Sequence, residues 1–222
     1  MEIIPAVIGK DFDEVEEKVL AVEDFVNWVH LDIMDGVFTP SESWPYFDIK
    51  DAPKELEYID FIRTENLKAE VHLMVKHPER DLDKWIEAGA DRILVHYEST
   101  DEKITSDILD ELSDNEIEAG IVLKYETPID VLDKFIDRLD IVQLMSIDKI
   151  GAYGLPFEQG IYEKIKSLRA KYPGVTISVD GGVSLENARE LIAAGADDLI
   201  AGSAIFKSDN IEETIKKFHG IA

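Results

Sequence analysis

Two histidines and two aspartates fall where a folded chain has little ordinary use for them. In His30-Leu31-Asp32-Ile33-Met34-Asp35-Gly36, a strand turns residues 30, 32 and 34 to one face and residues 31 and 33 to the other. Leu31 and Ile33 suit an apolar layer, which leaves His30, Asp32 and Met34 together. The same alternation in Val71-His72-Leu73-Met74-Val75 groups His72 with Met74. Burying a carboxylate is costly unless it is paired or bound to a metal. A satisfied His–Asp pair near a loop is the plainer alternative for the first segment, and a core histidine for the second. Val179-Asp180-Gly181-Gly182-Val183 ends an apolar run on a carboxylate and two glycines, a pattern that also suits a simple β-to-α turn. Ala201-Gly202-Ser203-Ala204 follows another apolar run, and its glycine would let backbone amides approach a phosphate at a short helix N-terminus.

Taken together, His30, Asp32, His72 and Asp180 offer two imidazoles and two carboxylates. That set suits one divalent transition ion: zinc, iron, manganese or cobalt. A bound dication could polarise a ketone and its neighbouring hydroxyl and so stabilise an enediolate. Two carboxylates on opposite sides could then take a proton from one face of a carbon and return one to the other.

Such residues need elements that aim them at one place. Short β-branched runs alternate with amphipathic stretches along the whole chain. The strands predicted are Ile3–Ile8, Trp28–Ile33, Ala69–Val75, Arg92–His96, Glu118–Leu123, Ile141–Met145, Thr176–Val179 and Asp198–Ala201. The helices predicted are Phe12–Phe25, Pro78–Ala88, Glu102–Asn115, Ile129–Arg138, Phe157–Tyr172, Leu185–Ala194 and Ile211–Phe218, with Pro53–Thr64 as a further one. Ser184, with Asn187 three positions on, reads as an N-cap, and Gly89 and Gly195 read as C-caps in two Ala-Gly-Ala-Asp phrases. No linker or low-complexity segment interrupts the pattern, so residues 1–222 read as one domain. Eight strands alternating with helices predict an α/β fold, a closed (β/α)8 TIM barrel, whose function sits at the C-terminal ends of the strands. A doubly wound sheet is the alternative, but no Gly-x-Gly-x-x-Gly follows the first strand.

Composition narrows the function classes. The chain has 222 residues, within reach of a barrel of about 250. It has no cysteine, which excludes disulfides and thiolate metal sites. Its formal charge is −25, from 23 Lys and Arg against 48 Asp and Glu. So acidic a surface disfavours nucleic acid and anionic membrane as partners. A phosphate would have to be held locally, by backbone amides. The apolar runs are too short to span a bilayer, and a cytoplasmic location is expected.

At these residues the chain resembles ribulose-phosphate 3-epimerases. The resemblance runs over nearly the full length, through residues 30–36, His72-Leu73-Met74-Val75, Leu144-Met145-Ser146-Ile147, residues 179–183 and Ala201-Gly202-Ser203-Ala204-Ile205-Phe206. It implies a metal held by His30, Asp32, His72 and Asp180, with Asp32 and Asp180 as the catalytic acid–base pair. It implies a methionine wall of Met34, Met74 and Met145, and phosphate contacts at Gly181, Gly182, Gly202 and Ser203. The implied reaction interconverts D-ribulose 5-phosphate and D-xylulose 5-phosphate in the pentose phosphate pathway. The partner is then a small ketose phosphate, and a homo-oligomer, dimer or hexamer, is in keeping with the family.

The departures bear on the substrate. Gly9 stands where the family carries the second Ser of its Pro-Ser-x-Leu-Ser-Ala-Asp phrase, removing a hydroxyl contact. Val37 replaces a His, and Trp44 and Tyr46 in the divergent 37–47 loop are expected to shape the pocket. Residues 148–157 replace the family's Pro-Gly-Phe-Gly-Gly-Gln. These changes leave open a 3-epimerase for another ketose phosphate, such as a hexulose 6-phosphate, and a non-catalytic sugar-phosphate-binding barrel. A metal-free decarboxylase or aldolase would need a lysine at a strand end, and Lys124 is the candidate; a solvated or substrate-steering role is its plainer reading.

Overall fold

In a computed structural model, which describes residues 1–47, 67–151 and 156–221, eight parallel strands close into a barrel in chain order. The strands are β1 (Glu2–Val7), β2 (Trp28–Met34), β3 (Lys68–Met74), β4 (Arg92–His96), β5 (Glu118–Leu123), β6 (Ile141–Met145), β7 (Thr176–Asp180) and β8 (Asp198–Ala201). Around them lie α1 (Phe12–Leu20), α2 (Leu82–Glu87), α3 (Glu102–Asp114), α4 (Ile161–Lys171), α5 (Ala188–Ala194), α6 (Ser203–Phe206) and α7 (Ile211–His219). The strands agree with expectation to within a residue at each end. The predicted helix Pro53–Thr64 lies outside the described residues.

Period-2 alternation divides the apolar residues into two populations. The outward set, including Leu31, Ile33, Val71, Leu73, Ile93 and Ile177, merges with the inner faces of the helices into one large core. The inward set fills the barrel itself, with Met34, Met74, Leu94, Val122 and Met145 in one cluster and Ile4, Ala6, Trp28 and Ile200 in another. Gly120 is small because it must be: a Cβ there would lie 2.1 Å from the Leu94 side chain and 2.7 Å from Ile141.

The two Ala-Gly-Ala-Asp phrases form the same turn. Gly89 and Gly195 take positive φ, and in each case the following amide bonds back to the helix, Ala90 to the Trp85 carbonyl and Ala196 to the Leu191 carbonyl, both at 3.1 Å. Each phrase ends on an aspartate that accepts from the preceding strand, Asp91 from the Ala69 amide at 2.9 Å and Asp197 from the Ile177 amide at 2.8 Å. Side chains of Asp11, Asp101 and Asn210 cap α1, α3 and α7.

Several helices differ from expectation, for identifiable reasons. Residues 21–25 leave α1 through tight i→i−3 turns, Val22 to Val19 and Phe25 to Val22. Pro78–Ala88 divides into a 3₁₀ turn, Pro78–Arg80, and α2. Ile129–Arg138 is not α-helical but two 3₁₀ turns, Ile129–Lys134 and Ile136–Arg138. Asp and β-branched residues there disfavour the α form, while Leu132 and Phe135 still reach the core. The start of α4 is delayed to Ile161, because the Glu158 amide bonds the Ser146 carbonyl at 2.9 Å instead of joining a helix. Ser184 does not cap α5. Asn187 precedes that helix, accepts from the Ser184 amide at 2.8 Å and donates to the Gly182 carbonyl at 2.9 Å, so the pair clamps the glycine turn.

Candidate active site

Strand register brings the predicted residues together. In the β2–β3 ladder Asp32 lies opposite His72, Met34 opposite Met74 and His30 opposite Glu70; in β6–β7, Met145 lies opposite Asp180. Ligand atoms of His30, Asp32, His72 and Asp180 all fall within 4.8 Å of one another, and all four residues are buried. Both imidazoles are fully enclosed at 0% exposure, while the two aspartates reach the cavity at the mouth of the barrel.

The contacts define a converging donor set. His30 Nε2 is 3.2 Å from Asp32 Oδ1 and 3.1 Å from His72 Nδ1; His72 Nδ1 is 2.9 Å from Asp32 Oδ1 and 3.9 Å from Asp180 Oδ2. On its far side His30 Nδ1 donates to Glu70 at 2.6 Å, and Glu70 also accepts from Arg92 at 2.7 Å. Arg92 is held in turn by Glu118 at 2.7 Å and lies 4.1 Å from the Trp28 ring centre, making a charged floor under the site.

Electrostatics separate the two aspartates. Burial alone would raise the Asp32 pKa, but the His30 and His72 imidazoles outweigh it and hold the carboxyl well below the usual range. Asp180 has little compensation. Burial, and then the negative charge of Asp32, push it up to about 7. Burial lowers His30, yet Asp32 and Glu70 outweigh it and keep that imidazole well above its ordinary value. Burial takes His72 down to about 4. Two imidazole nitrogens and two carboxylates face one point. A divalent cation fits that arrangement, and these four residues would hold it.

Above them lies a cavity of about 270 Å³, lined by Asp32, Asp180 and the three methionines, Met34, Met74 and Met145. That size suits a small metabolite rather than a polymer. Gly181, Gly182, Gly202 and Ser203 line its other side. Gly181 and Gly182 have φ of 107° and 69°, a region that side chains rarely adopt. Ser146 braces this turn: its amide and hydroxyl donate to the Asp180 carbonyl at 2.7 and 2.9 Å.

Other expectations need correction. Trp44 and Tyr46 do not line the cavity. Trp44 packs on Phe12 and Trp85, and the Tyr46 hydroxyl donates to Asp81 at 2.7 Å, so both aromatics anchor the 37–47 loop to the helical layer. Lys124 also lies away from the cavity, with its Nζ 4.3 Å from the Phe38 ring centre. Gly9 has a packing reason: a Cβ there would lie 2.7 Å from the Val15 side chain and 2.9 Å from its backbone nitrogen. Of the divergent 148–157 loop, residues 152–155 lie outside the described set, while Ile147 and Gly151 line the cavity.

Sequence reasoning passed over Lys18 and Lys207, the two cations among the described cavity residues. Their positions on or just after a helix read as solvated lysines. It also passed over Glu70 and Arg92, although Glu70 is in phase with His72 and a buried charge at that spacing was a usable signal.

Residues 2–206 match the Ribulose-phosphate 3 epimerase family. The chain is 32% identical over 219 residues to a ribulose-phosphate 3-epimerase of Schizosaccharomyces pombe, covering 96% of this chain and 90% of that protein. It is 31% identical over 226 residues to the Bacillus subtilis ribulose-phosphate 3-epimerase, covering 99% of each. Among solved structures, 3-hexulose-6-phosphate synthase from Salmonella typhimurium is similar at a TM-score of 0.73 and 14% identity, over 100% of this chain and 98% of that one, a likeness of fold alone.

Proposed function

The chain belongs to the ribulose-phosphate 3-epimerase family and is an isomerase, an epimerase; from that premise we propose that it interconverts D-ribulose 5-phosphate and D-xylulose 5-phosphate by two-base proton transfer between Asp32 and Asp180. The observation that carries this reading is the convergence of His30, Asp32, His72 and Asp180 within 4.8 Å, under a cavity walled by methionines. One divalent ion, zinc, iron, manganese or cobalt, completes the site in this reading. When bound, it supplies the positive charge that stabilises an enediolate.

The residues of the chain account for the remaining steps. The phosphate lies against Gly181, Gly182, Gly202 and Ser203, where a local cradle offsets the repulsion of a chain carrying −25. Lys18 and Lys207 add positive charge at the same cavity. Met34, Met74 and Met145 give the reacting carbons a polarizable, water-poor wall. Asp32, held ionised chiefly by the His30 imidazole, takes the C3 proton from one face, and the C3–H electron pair moves into the C2–C3 bond of the enediolate. Asp180, whose carboxyl burial pushes up to about 7, returns a proton to C3 from the opposite face. The reverse reaction exchanges the two roles, and proton exchange with solvent resets the pair. Acid–base assistance of this kind is worth about 10²–10⁴-fold.

The departure at Gly9 leaves open a second reading, a 3-epimerase for another ketose phosphate such as a hexulose 6-phosphate. Without a side chain there, the turn after β1 has no hydroxyl at the position where the family carries a serine. The deciding experiment gives D-ribulose 5-phosphate to chelator-treated protein, with and without Mn²⁺, Zn²⁺ or Fe²⁺. Metal-dependent formation of xylulose 5-phosphate is expected. Metal binding without turnover of the pentulose would contradict the first reading and move the assignment to the longer sugar.

A further inference from the structure

Behind His72, away from the cavity, the structure holds a chain of groups that the proposed reaction does not use. His72 Nε2 lies 2.9 Å from His96 Nε2, and the two rings stack with centroids 5.0 Å apart. His96 Nδ1 lies 3.2 Å from Glu98 Oε2. The other carboxylate oxygen, Oε1, accepts from the Lys124 amide at 2.9 Å and from the Thr127 hydroxyl. His96 is fully enclosed, and Phe38 covers its ring at 5.0 Å.

Only one arrangement of protons satisfies this chain with neutral rings. A carboxylate accepts and cannot donate. Glu98 is surrounded by donors, so His96 Nδ1 must carry a proton and give it to Glu98. A neutral His96 then has a lone pair at Nε2, so His72 Nε2 must carry a proton and give it to His96. That leaves the His72 Nδ1 lone pair facing Asp32, His30 and Asp180. We propose that Glu98 and His96 are a positioning pair that fixes the tautomer and ring angle of His72, so that Nδ1 is the atom offered to a divalent cation. A carboxylate, a backbone carbonyl or a water bonded directly to the ring is the usual partner of a metal-binding imidazole. Glu70 is such a partner for His30, whereas His72 reaches its carboxylate through a second imidazole.

The inference rests on reading His30, Asp32, His72 and Asp180 as a metal site, and its test keeps the two claims apart. Zn²⁺ affinity is measured by competition with a chromophoric chelator for the wild type, Glu98→Ala and His96→Phe. The phenylalanine retains the stacked ring and removes the acceptor. Both variants are expected to bind Zn²⁺ about 10- to 100-fold more weakly. Nitrogen-15 spectra of histidine-labelled, Zn²⁺-loaded wild type are expected to show the proton of His72 on Nε2 and that of His96 on Nδ1. Wild type that fails to bind Zn²⁺ overturns the metal site and the relay together. Tight wild-type binding with affinity unchanged in the variants overturns the relay alone, as does a His72 ring lacking its Nε2 proton. The wild-type spectrum decides the matter even if a variant does not fold.

Discussion

The two sides of the barrel mouth are built on different principles. On the β2–β3 side, Asp32 is fixed by side chains: two imidazoles contact it, with Glu70 and Arg92 behind one and His96 and Glu98 behind the other. On the β7–β8 side, Asp180 ends a strand beside positive-φ glycines, and its turn is held mainly through backbone carbonyls by Ser146 and Asn187. The first side stabilises a negative charge, and on the second burial pushes the carboxyl up to about 7. Similar residues thus have their pKa values moved in opposite directions because one has compensating partners and the other mainly has burial. An acid facing a base is what an epimerase needs at a single carbon.

The largest effect is expected from removing either carboxylate. Asp32→Asn and Asp180→Asn should each lower kcat by at least about 10²-fold. Near-normal turnover in either variant would break the comparison. Asp32→Asn should also weaken Zn²⁺ binding more, because Asp32 contacts both imidazoles; titration of both variants with Zn²⁺ checks the order. A smaller effect is expected at the glycine-rich side. Lys207→Ala and Lys18→Met should raise KM for the sugar phosphate by about 10-fold, roughly one partly exposed charge contact, with little change in kcat. A kcat loss matching that of the aspartate variants would remove the division between binding and chemistry.

A separate effect concerns stability at the histidine-rich side. Glu98 is held at about 2, below its ordinary 4.5. A depressed carboxylate stabilises the fold above its unfolded pKa, and that contribution fades as pH falls through the folded value. Glu98→Gln should therefore cost about 1–3 kcal/mol at neutral pH. The difference from wild type should shrink between pH 4.5 and about 2. Urea melts of both proteins across that range test it, and a difference constant with pH would contradict the assignment.

Much of this architecture is legible in the sequence because β alternation is strict. His30, Asp32 and Met34 cannot face inward without Leu31 and Ile33 facing the helices, and both populations are visible in the residue types. The same rule applied to Glu70 and Arg92 leads to the charged floor, but charges at strand starts read as exposed ends. The loop aromatics are harder. Trp44 and Tyr46 resemble pocket residues until Phe12, Trp85 and Asp81 arrive from distant segments. Residues 129–138 carry helical periodicity, yet Asp and β-branched residues there disfavour the α form, and 3₁₀ turns still bury Leu132 and Phe135. Lys18 reaches the cavity from a helix face where lysine is usually solvated.

The most direct test of two opposed acid–base groups is exchange of the C3 hydrogen with deuterated water, followed by proton NMR for each pure epimer. Loss of one carboxylate should stop epimerisation while leaving the other able to exchange the proton on its own face. Asp32→Asn and Asp180→Asn, both loaded with metal, are therefore predicted to exchange opposite epimers. Exchange of the same epimer by both variants, or continued epimerisation by either, would contradict the account.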